Sequence, residues 1–209
     1  MTRAAANTKA KKIAKLGRDT TVEHAGTTHF VVIDEAGNVV SMTATVESIF
    51  GSARMAKGMF LNNQLTDFAK APRDAAGALV ANHPAAGKRP RSSMSPTIAL
   101  DANGDFHLAT GSPGGSSIIA YTAKSLVGII DWQLTPQEAV NLPNVVARGD
   151  RVRVESARAD AKMIQAMRDH GFQIRESEGE NSGLSVILRR PDGRLEGGVD
   201  PRREGTIAR

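Results

Sequence analysis

Short runs of β-branched and apolar residues, separated by glycine-containing turns, set the pattern of the first half of the chain. His29–Ile33 and Val39–Val46 flank the stretch DEAGN, and Thr97–Leu100 and Phe106–Thr110 flank DANGD. Runs of this kind around such turns predict two β-hairpins. A further short strand is expected at Phe60–Asn63.

The middle of the chain changes to loop and helix patterns. Residues 67–93 are rich in alanine, proline and glycine, which predicts an extended surface loop. Apolar spacing predicts a helix over Ser116–Ile130. The sequence TPQE at 135–138 predicts a second helix with a threonine cap, a first-position proline and a capping-box glutamate. A third helix is expected over Asp160–His170, closed by Gly171.

The remaining apolar runs predict strands and complete the fold class. They are Arg151–Glu155, Phe172–Arg175, Leu184–Leu188 and Arg194–Gly197. Because tight turns join most of the predicted strands, the sheet should be largely antiparallel. Runs such as Phe30–Ile33 and Ser185–Leu188 are apolar on both faces, so the sheet should be covered by helices outside and by a second sheet inside. The pattern is therefore that of an α+β fold.

Composition bounds the chain to one domain and excludes several kinds of chemistry. The 209 residues are 40% hydrophobic and include no cysteine, which excludes disulfides, thiolate metal sites and a cysteine nucleophile. Residues 1–26 hold six bases and two acids, and so account for most of the net charge of +5. The rest is close to neutral, which argues against a nucleic-acid groove.

The first 26 residues are interpreted as a basic tail, followed by a folded domain over 27–209. Residues 4–16 could form a weak basic helix, but their apolar face is thin, which favours a solvated tail. The segment has no apolar run of the length a secretory signal needs, and no stretch of the chain is apolar enough to predict a membrane span.

The start of the first predicted strand, GTTH at 26–29, raises a chemical question. Threonine is a good strand residue, so β-propensity alone explains the pattern. The alternative is that the chain is cut before Thr27, whose hydroxyl then becomes a nucleophile with its own new α-amine as base. Gly26 suits such a cut because it hinders attack on its carbonyl least. Strand alternation places His29 on the same face as Thr27.

Three further stretches carry polar groups that could bind a small substrate with both ammonium and carboxylate groups. In LNNQLTDF, Gln64 and Asp67 could hold an ammonium group, or could form a polar turn. In KRPRSSMSPT, two adjacent serines could face a carboxylate, or could belong to a loop. In TGSPGGSS, Gly114 and Gly115 could form an oxyanion hole or anion nest before a helix, or a plain turn.

Two sets of residues point away from binding sites. The five histidines show no metal-ligand spacing. The motif DPRREG at 200–205 is expected to be a structural turn held by arginine–carboxylate pairs.

Taken in order, these stretches resemble one family. TTHFVVIDEAGNVVSMTATVESIFG, LNNQLTDF, KRPRSSMSPT, TGSPGGS and DPRREG together are similar to the small subunit of the γ-glutamyltransferases, also called γ-glutamyltranspeptidases or glutathione hydrolases. The resemblance covers the chain from about Thr27 to the C-terminus. It implies the αββα sandwich of the N-terminal nucleophile hydrolases, of which this chain is the small-subunit part, and it implies no cofactor and no metal.

The resemblance implies a precursor that cuts itself between Gly26 and Thr27. Thr27 then attacks the γ-glutamyl carbonyl of glutathione or another γ-glutamyl compound, and water or an amine acceptor resolves the resulting ester. Thr45 matches the residue that hydrogen-bonds the nucleophile's amine. Gly114 and Gly115 match the oxyanion hole.

The resemblance also assigns the substrate contacts. Gln64 and Asp67 match the residues that hold the α-ammonium of the glutamyl group, and Ser92 and Ser93 match those that bind its α-carboxylate. Glu47 stands at a substrate-contacting position where better-known members carry asparagine. Because of this carboxylate, the substrate preference of the chain stays open. The alternative is that of some relatives, which act as acylases on glutaryl and cephalosporin-type side chains.

The family's large subunit, which supplies about half of the sandwich and an arginine for the substrate carboxylate, is not in this sequence. Residues 1–26 are interpreted as the remnant of its end or as a propeptide. The expected partner is therefore a large-subunit chain or a second copy of this chain. The alternative is an inactive fragment. The parent family is periplasmic or extracellular, although this chain carries no signal for either.

Overall fold

The computed structural model describes residues 17, 26–149 and 151–208. The predicted basic tail, with the weak helix over 4–16, therefore lies outside the described residues except for Gly17 and Gly26. The chain divides into two compact units. Among the described residues, one unit holds Gly17 and Gln64–Arg91, and the other holds 26–63, 92–149 and 151–208.

The larger unit contains all the strands and α-helices of the described residues. The helices are α1 (Ile118–Ile130), α2 (Pro136–Asn141) and α3 (Ala161–Asp169). The strands are β1 (Thr27–Ile33), β2 (Val39–Thr45), β3 (Met55–Ala56), β4 (Met59–Phe60), β5 (Thr97–Leu100), β6 (Phe106–Gly111), β7 (Val145–Arg148), β8 (Arg151–Glu155), β9 (Gln173–Ser177), β10 (Ser185–Arg189) and β11 (Leu195–Val199).

Both predicted hairpins are present. Strands β1 and β2 pair antiparallel from Thr27 opposite Thr45 to Ile33 opposite Val39. Their turn is closed by Asp34, whose carboxylate accepts hydrogen bonds from the backbone and side chain of Asn38. Strands β5 and β6 form the second hairpin, and β6 continues into a sheet with the order β11-β10-β6-β5.

One face of this four-stranded sheet carries the core. Leu108, Val186 and Leu188 alternate along β6 and β10 toward the helices, where they pack with Tyr121 and Val140 in one buried cluster. A strand exposes alternate side chains on opposite faces, so the intervening residues point the other way. The helices α1 and α2 therefore cover one face, as the two-sided apolar runs predict.

The other face of the sheet meets the β1–β2 hairpin. The His29 ring lies against Gly111, because a Cβ there would fall within 3.0 Å of three of its ring atoms. Ser41 on β2 donates a hydrogen bond to the carbonyl of Thr110 at 3.1 Å. This arrangement brings the start of β1 beside the end of β6, where the TGSPGG loop begins.

A second sheet, with the order β7-β8-β9, differs from the prediction. Strand β7 was missed, and β8 pairs with β9 in parallel. The parallel pair follows from the strand–helix–strand order β8, α3, β9, because a helical crossover returns the chain in the same direction. The largely antiparallel sheet is otherwise confirmed.

The helix ends follow the predicted local chemistry with one correction. Thr135 caps α2 by accepting from the Glu138 N–H at 3.2 Å, and the Glu138 carboxylate accepts from the Thr135 N–H at 2.8 Å. Asp160 caps α3. The helix predicted from Ser116 is wrong in its first turn, because Gly115–Ser117 form a 3₁₀ turn before α1 begins.

The connecting segments have little regular structure. The strand predicted at Phe60–Asn63 is wrong in its bounds, because only Met59–Phe60 pair, with Met55–Ala56. In the smaller unit the predicted loop after Asp67 is confirmed, since its described residues show only the isolated bridges Arg73–Leu79 and Gly17–Val80.

The outer face of the β1–β2 hairpin is apolar and open in this chain. Phe30, Val32, Val40 and Met42 alternate with the inward residues and are between 41% and 51% exposed. Within the described residues, no helix is both long and apolar enough for a membrane crossing.

Candidate active site

Thr27 and Thr45 face each other at the open end of the first hairpin. They are the last cross-strand pair of the β1–β2 ladder, and Thr27 is buried. The Thr45 hydroxyl donates a hydrogen bond to the Gly26 carbonyl at 3.1 Å and accepts one from the Glu47 N–H at 2.8 Å. The peptide bond between Gly26 and Thr27 is thus held at its carbonyl by a fixed hydroxyl.

Gly26 has no room for a side chain. A Cβ at this position would lie less than 3.0 Å from the backbone carbonyl oxygen of Glu47, a distance that real Cβ atoms essentially never show. Glu47 itself has a φ of +75°, which L-residues rarely adopt. Only glycine therefore fits before Thr27, because the left-handed backbone at Glu47 places its carbonyl oxygen against Gly26. The sequence alone does not show this reason.

The Glu47 side chain is buried and already engaged. One of its carboxylate oxygens accepts from the Ser48 hydroxyl at 2.8 Å and from the amide of Asn63. The backbone N–H of Ser48 donates to the Asn63 side-chain oxygen at 3.0 Å. These bonds fix the carboxylate against Ser48 and Asn63, whereas it is the Glu47 backbone that lies beside Gly26.

His29 shares the inner face of β1 with Thr27, as alternation predicts. It is buried, and its Nδ1 is 2.8 Å from the Thr43 hydroxyl, while Nε2 has no hydrogen-bond partner among the described residues. Burial lowers the pKa of His29 from 6.5 to about 4, against a smaller opposing effect of the Met42 backbone. The ring is therefore neutral at physiological pH.

Gly114 and Gly115 form the turn between β6 and α1. Their φ angles are +135° and +57°, which favours glycine at both positions. The Tyr121 ring lies beneath Gly114 so closely that a Cβ there would overlap it. The two glycines thus lie where the chain enters the 3₁₀ turn before α1, and the oxyanion site expected at their N–H groups stays a prediction.

The remaining predicted substrate residues have local partners. The Ser92 hydroxyl accepts from the Met94 N–H at 3.2 Å, and the Ser93 carbonyl accepts from the Ser95 hydroxyl at 3.3 Å. In the smaller unit, Gln64 and Asp67 are the two ends of one 3₁₀ turn, and the Gln64 amide donates to the Asp67 carboxylate. An amide and a carboxylate are thus held side by side.

The turn predicted at 200–205 is confirmed as an arginine–carboxylate structure. Arg202 pairs with Asp200 at 2.9 Å and with Glu155 at 2.5 Å, and all three side chains are almost fully buried. Ser182 also donates to Asp200 at 2.6 Å. The turn anchors the C-terminal segment to the core of the larger unit.

Arg203, a neighbouring arginine that no sequence pattern predicts, reaches the strand of the candidate nucleophile. Arg203 donates to the backbone carbonyl of Thr27 at 3.2 Å and to that of Asn181 at 3.0 Å. No local signal distinguishes it from Arg202, because the contact joins residues 176 positions apart.

A match to one protein family extends over the whole chain. The sequence profile of the Gamma-glutamyltranspeptidase family matches residues 1–209. The chain therefore belongs to the gamma-glutamyltranspeptidase family.

Relatives and solved structures place the fold within this family. The chain is 38% identical to the glutathione hydrolase proenzyme of Escherichia coli K12, over 84% of its own length and 31% of the relative's. It is 35% identical to the acylase ACY 1 proenzyme of a Pseudomonas strain, over 88% and 32% of the two lengths. It thus spans about a third of these curated relatives.

A crystal structure of a mutant gamma-glutamyltranspeptidase from Helicobacter pylori superposes with a TM-score of 0.72 at 34% identity, over 84% of this chain and 100% of that one. The fold is that of the N-terminal nucleophile hydrolases, as the resemblance implied. Here it is built from the β1–β2 hairpin, the four-stranded sheet and the covering helices.

Proposed function

We propose that this chain is the small-subunit part of an enzyme that transfers or hydrolyses γ-glutamyl groups, with Thr27 as the nucleophile. One observation carries the proposal. The Thr45 hydroxyl lies 3.1 Å from the carbonyl oxygen of Gly26, at the peptide bond that precedes the buried Thr27. Membership of the gamma-glutamyltranspeptidase family supports the assignment.

The first step is self-cleavage between Gly26 and Thr27. The Thr27 hydroxyl attacks the Gly26 carbonyl carbon and forms an ester as the C–N bond breaks, and the α-amine of Thr27 takes up the proton. Water then hydrolyses the ester and leaves a carboxylate on Gly26 and a free hydroxyl on Thr27. The hydrogen bond from Thr45 stabilises negative charge on the Gly26 oxygen during attack, and Glu47 keeps Thr45 oriented.

The freed α-amine then serves as the base for the substrate reaction. Its reference pKa of about 7.7–8.0 suits proton transfer near neutral pH. Thr27 attacks the γ-glutamyl carbonyl, the amine leaving group takes a proton, and a γ-glutamyl ester forms. Water or an amine acceptor resolves this ester. The N–H groups of Gly114 and Gly115 are assigned to the oxyanion that forms in each attack.

Substrate recognition is assigned to the two polar pairs. Asp67 supplies a carboxylate for the α-ammonium group and Gln64 supports it, since the two side chains are already hydrogen-bonded. The hydroxyls of Ser92 and Ser93 are assigned to the α-carboxylate. A charged partner of this kind contributes roughly 1.5–3 kcal/mol.

The proposed function includes the large-subunit part of the family fold. The exposed apolar face of Phe30, Val32, Val40 and Met42 lies on the hairpin that opens with Thr27. We assign this face to the large-subunit part of the family fold, because this chain spans only 31% of the E. coli relative. Light scattering and activity should therefore change when a large-subunit polypeptide is added, and a fully active monomer would contradict the assignment.

The experiment for the reaction itself traps the acyl-enzyme. The full chain is incubated with a γ-glutamyl-anilide, with and without a large-subunit polypeptide. It is then digested, and its peptides are analysed by mass spectrometry. A γ-glutamyl group should appear on the peptide that begins with Thr27. Thr27→Ala should abolish both trapping and anilide release, whereas Thr28→Ala, one position along, should retain them. A γ-glutamyl group on another residue would refute the proposal.

An acylase activity is the second candidate, because one relative is an acylase ACY 1 proenzyme. Asp67 favours γ-glutamyl transfer over the acylase, since a carboxylate paired with an amide suits a substrate that carries an α-ammonium. Comparison of γ-glutamyl and glutaryl anilides tests this directly. Equal turnover of the two substrates would favour the acylase.

A further inference from the structure

Arg203 connects the candidate nucleophile to a distant segment of the chain. Its guanidinium donates to the carbonyl of Thr27 at 3.2 Å and to the carbonyl of Asn181 at 3.0 Å. Its aliphatic part packs against Gly183, where a Cβ would lie 2.8 Å from the Arg203 Cδ. One side chain thus joins the first residue of β1 to residues 181–183.

The same segment holds the loop assigned to the oxyanion hole. The Gly183 N–H donates to the Ser112 hydroxyl at 3.1 Å, at the start of that loop. The Glu180 carboxylate accepts from Tyr121, whose ring lies beneath Gly114. Residues 180–183 therefore contact both parts of the proposed machinery.

The charge on Arg203 is available to the nucleophile. Among the described residues, no carboxylate lies within ion-pair distance of Arg203, and nearby Asp200 is taken by Arg202 and Ser182. The Thr27 nitrogen and carbonyl carbon share one Cα, so covalent dimensions place the guanidinium within about 7 Å of the α-amine.

Among the described residues, the other titratable groups around this end of β1 are His29 on the same face, Glu47 after β2, and Glu180 and Tyr121 across the 180–183 segment. His29 is uncharged near neutral pH, Glu47 is bonded to Ser48, and Glu180 pairs with Arg153. None of these is a cation aimed at Thr27.

We propose that Arg203 is a positioning residue that fixes Thr27 against the Gly114–Gly115 loop and, by its positive charge, favours the neutral form of the Thr27 α-amine. This inference rests on the proposed function. A cation nearby disfavours protonation of an amine, so removal of Arg203 should raise the amine's pKa. The rate needs the neutral amine, so its acidic limb should then move to higher pH.

The test compares three variants of the full chain, with the large-subunit polypeptide present. Arg203→Met removes the charge and both hydrogen bonds, and Arg203→Lys keeps the charge but cannot bridge both carbonyls. Arg194→Met removes an exposed arginine of the β10–β11 turn as the control. The readouts are cleavage before Thr27, kcat and KM for a γ-glutamyl-anilide, the pH profile of kcat, and the unfolding midpoint.

Arg203→Met should lower kcat about 10- to 100-fold with little change in KM, and should shift the acidic limb upward by roughly half to one pH unit. Arg203→Lys should keep the acidic limb of the kcat profile at the parent's position but should retain only part of the parent's kcat. Folded Arg203 variants with the parent's kcat and profile would overturn this inference and leave the proposed function standing. A parent that neither cleaves nor turns over substrate would overturn both.

Discussion

The buried His29 should make the stability of this chain fall as the pH is lowered below neutrality. Its pKa is lowered from 6.5 to about 4 because the ring is buried beside Gly111. Between these values the unfolded chain binds a proton that the folded chain does not, so the folded state loses stability as pH falls. The contribution is fully present above pH 6.5 and lost by about pH 4.

The size of the effect follows from the shift. At 1.36 kcal/mol per pKa unit, His29 accounts for about 3 kcal/mol of the free energy of unfolding lost over this interval. Carboxyl groups titrate in the same range, so the informative quantity is a difference between variants. His29→Gln keeps a polar side chain near Thr43 but cannot titrate. It should therefore lose about 3 kcal/mol less than the parent between pH 7 and pH 4.

The assay is urea unfolding of the full chain, followed by circular dichroism at half-unit steps from pH 7 to pH 4. His170→Gln, at the exposed end of α3, is the matched control for the loss of a histidine. Equal pH dependence in His29→Gln and the parent would refute the account of His29 as a buried neutral ring. It would also argue against the packing of the inner face of the hairpin on β6.

The other predictions concern the cleavage site, the substrate pocket and the core. Gly26→Ala should block cleavage before Thr27 as followed by intact mass, because its Cβ would overlap the Glu47 carbonyl, and normal cleavage would contradict that packing. Asp67→Ala should raise KM for γ-glutamyl substrates about 10- to 100-fold, and an unchanged KM would exclude it as the ammonium partner. Arg202→Met should cost about 3–5 kcal/mol in urea unfolding, because it leaves buried carboxylates unpaired, whereas Arg194→Met should cost far less.

Local chemistry made the hairpins and helix ends predictable from sequence. The turn DEAGN, the Asn-Gly turn in DANGD and the capping box at 135–138 each act within a few residues, and all three are present. Strand β7 was missed because its four residues VVAR form only a short run, although Pro143-Asn144 precedes it and Gly149-Asp150, typical of a two-residue hairpin turn, separates it from β8. The parallel pairing of β8 and β9 was missed although the order strand, α3, strand is typical of it.

The candidate site was predictable only in part, and the reason is sequence separation. Residue types and the family resemblance predict Thr27, Thr45 and the glycine pair as site residues. The reason for Gly26 is different, because it depends on the left-handed backbone of Glu47, which no residue preference announces. Arg203 depends on a contact between the two ends of the folded domain. Such contacts are set by packing rather than by local pattern.

The N-terminal sequence of the mature chain tests whether the chain is cut before Thr27 to free the α-amine of its nucleophile. The full chain is purified, incubated at neutral pH and analysed by intact mass and N-terminal sequencing, beside Thr27→Ala prepared in the same way. We expect a fragment that begins Thr27-Thr28-His29 in the parent and an uncut chain in the variant. A parent that stays uncut yet releases the anilide from γ-glutamyl substrates would contradict the claim that Thr27 acts through its own amine.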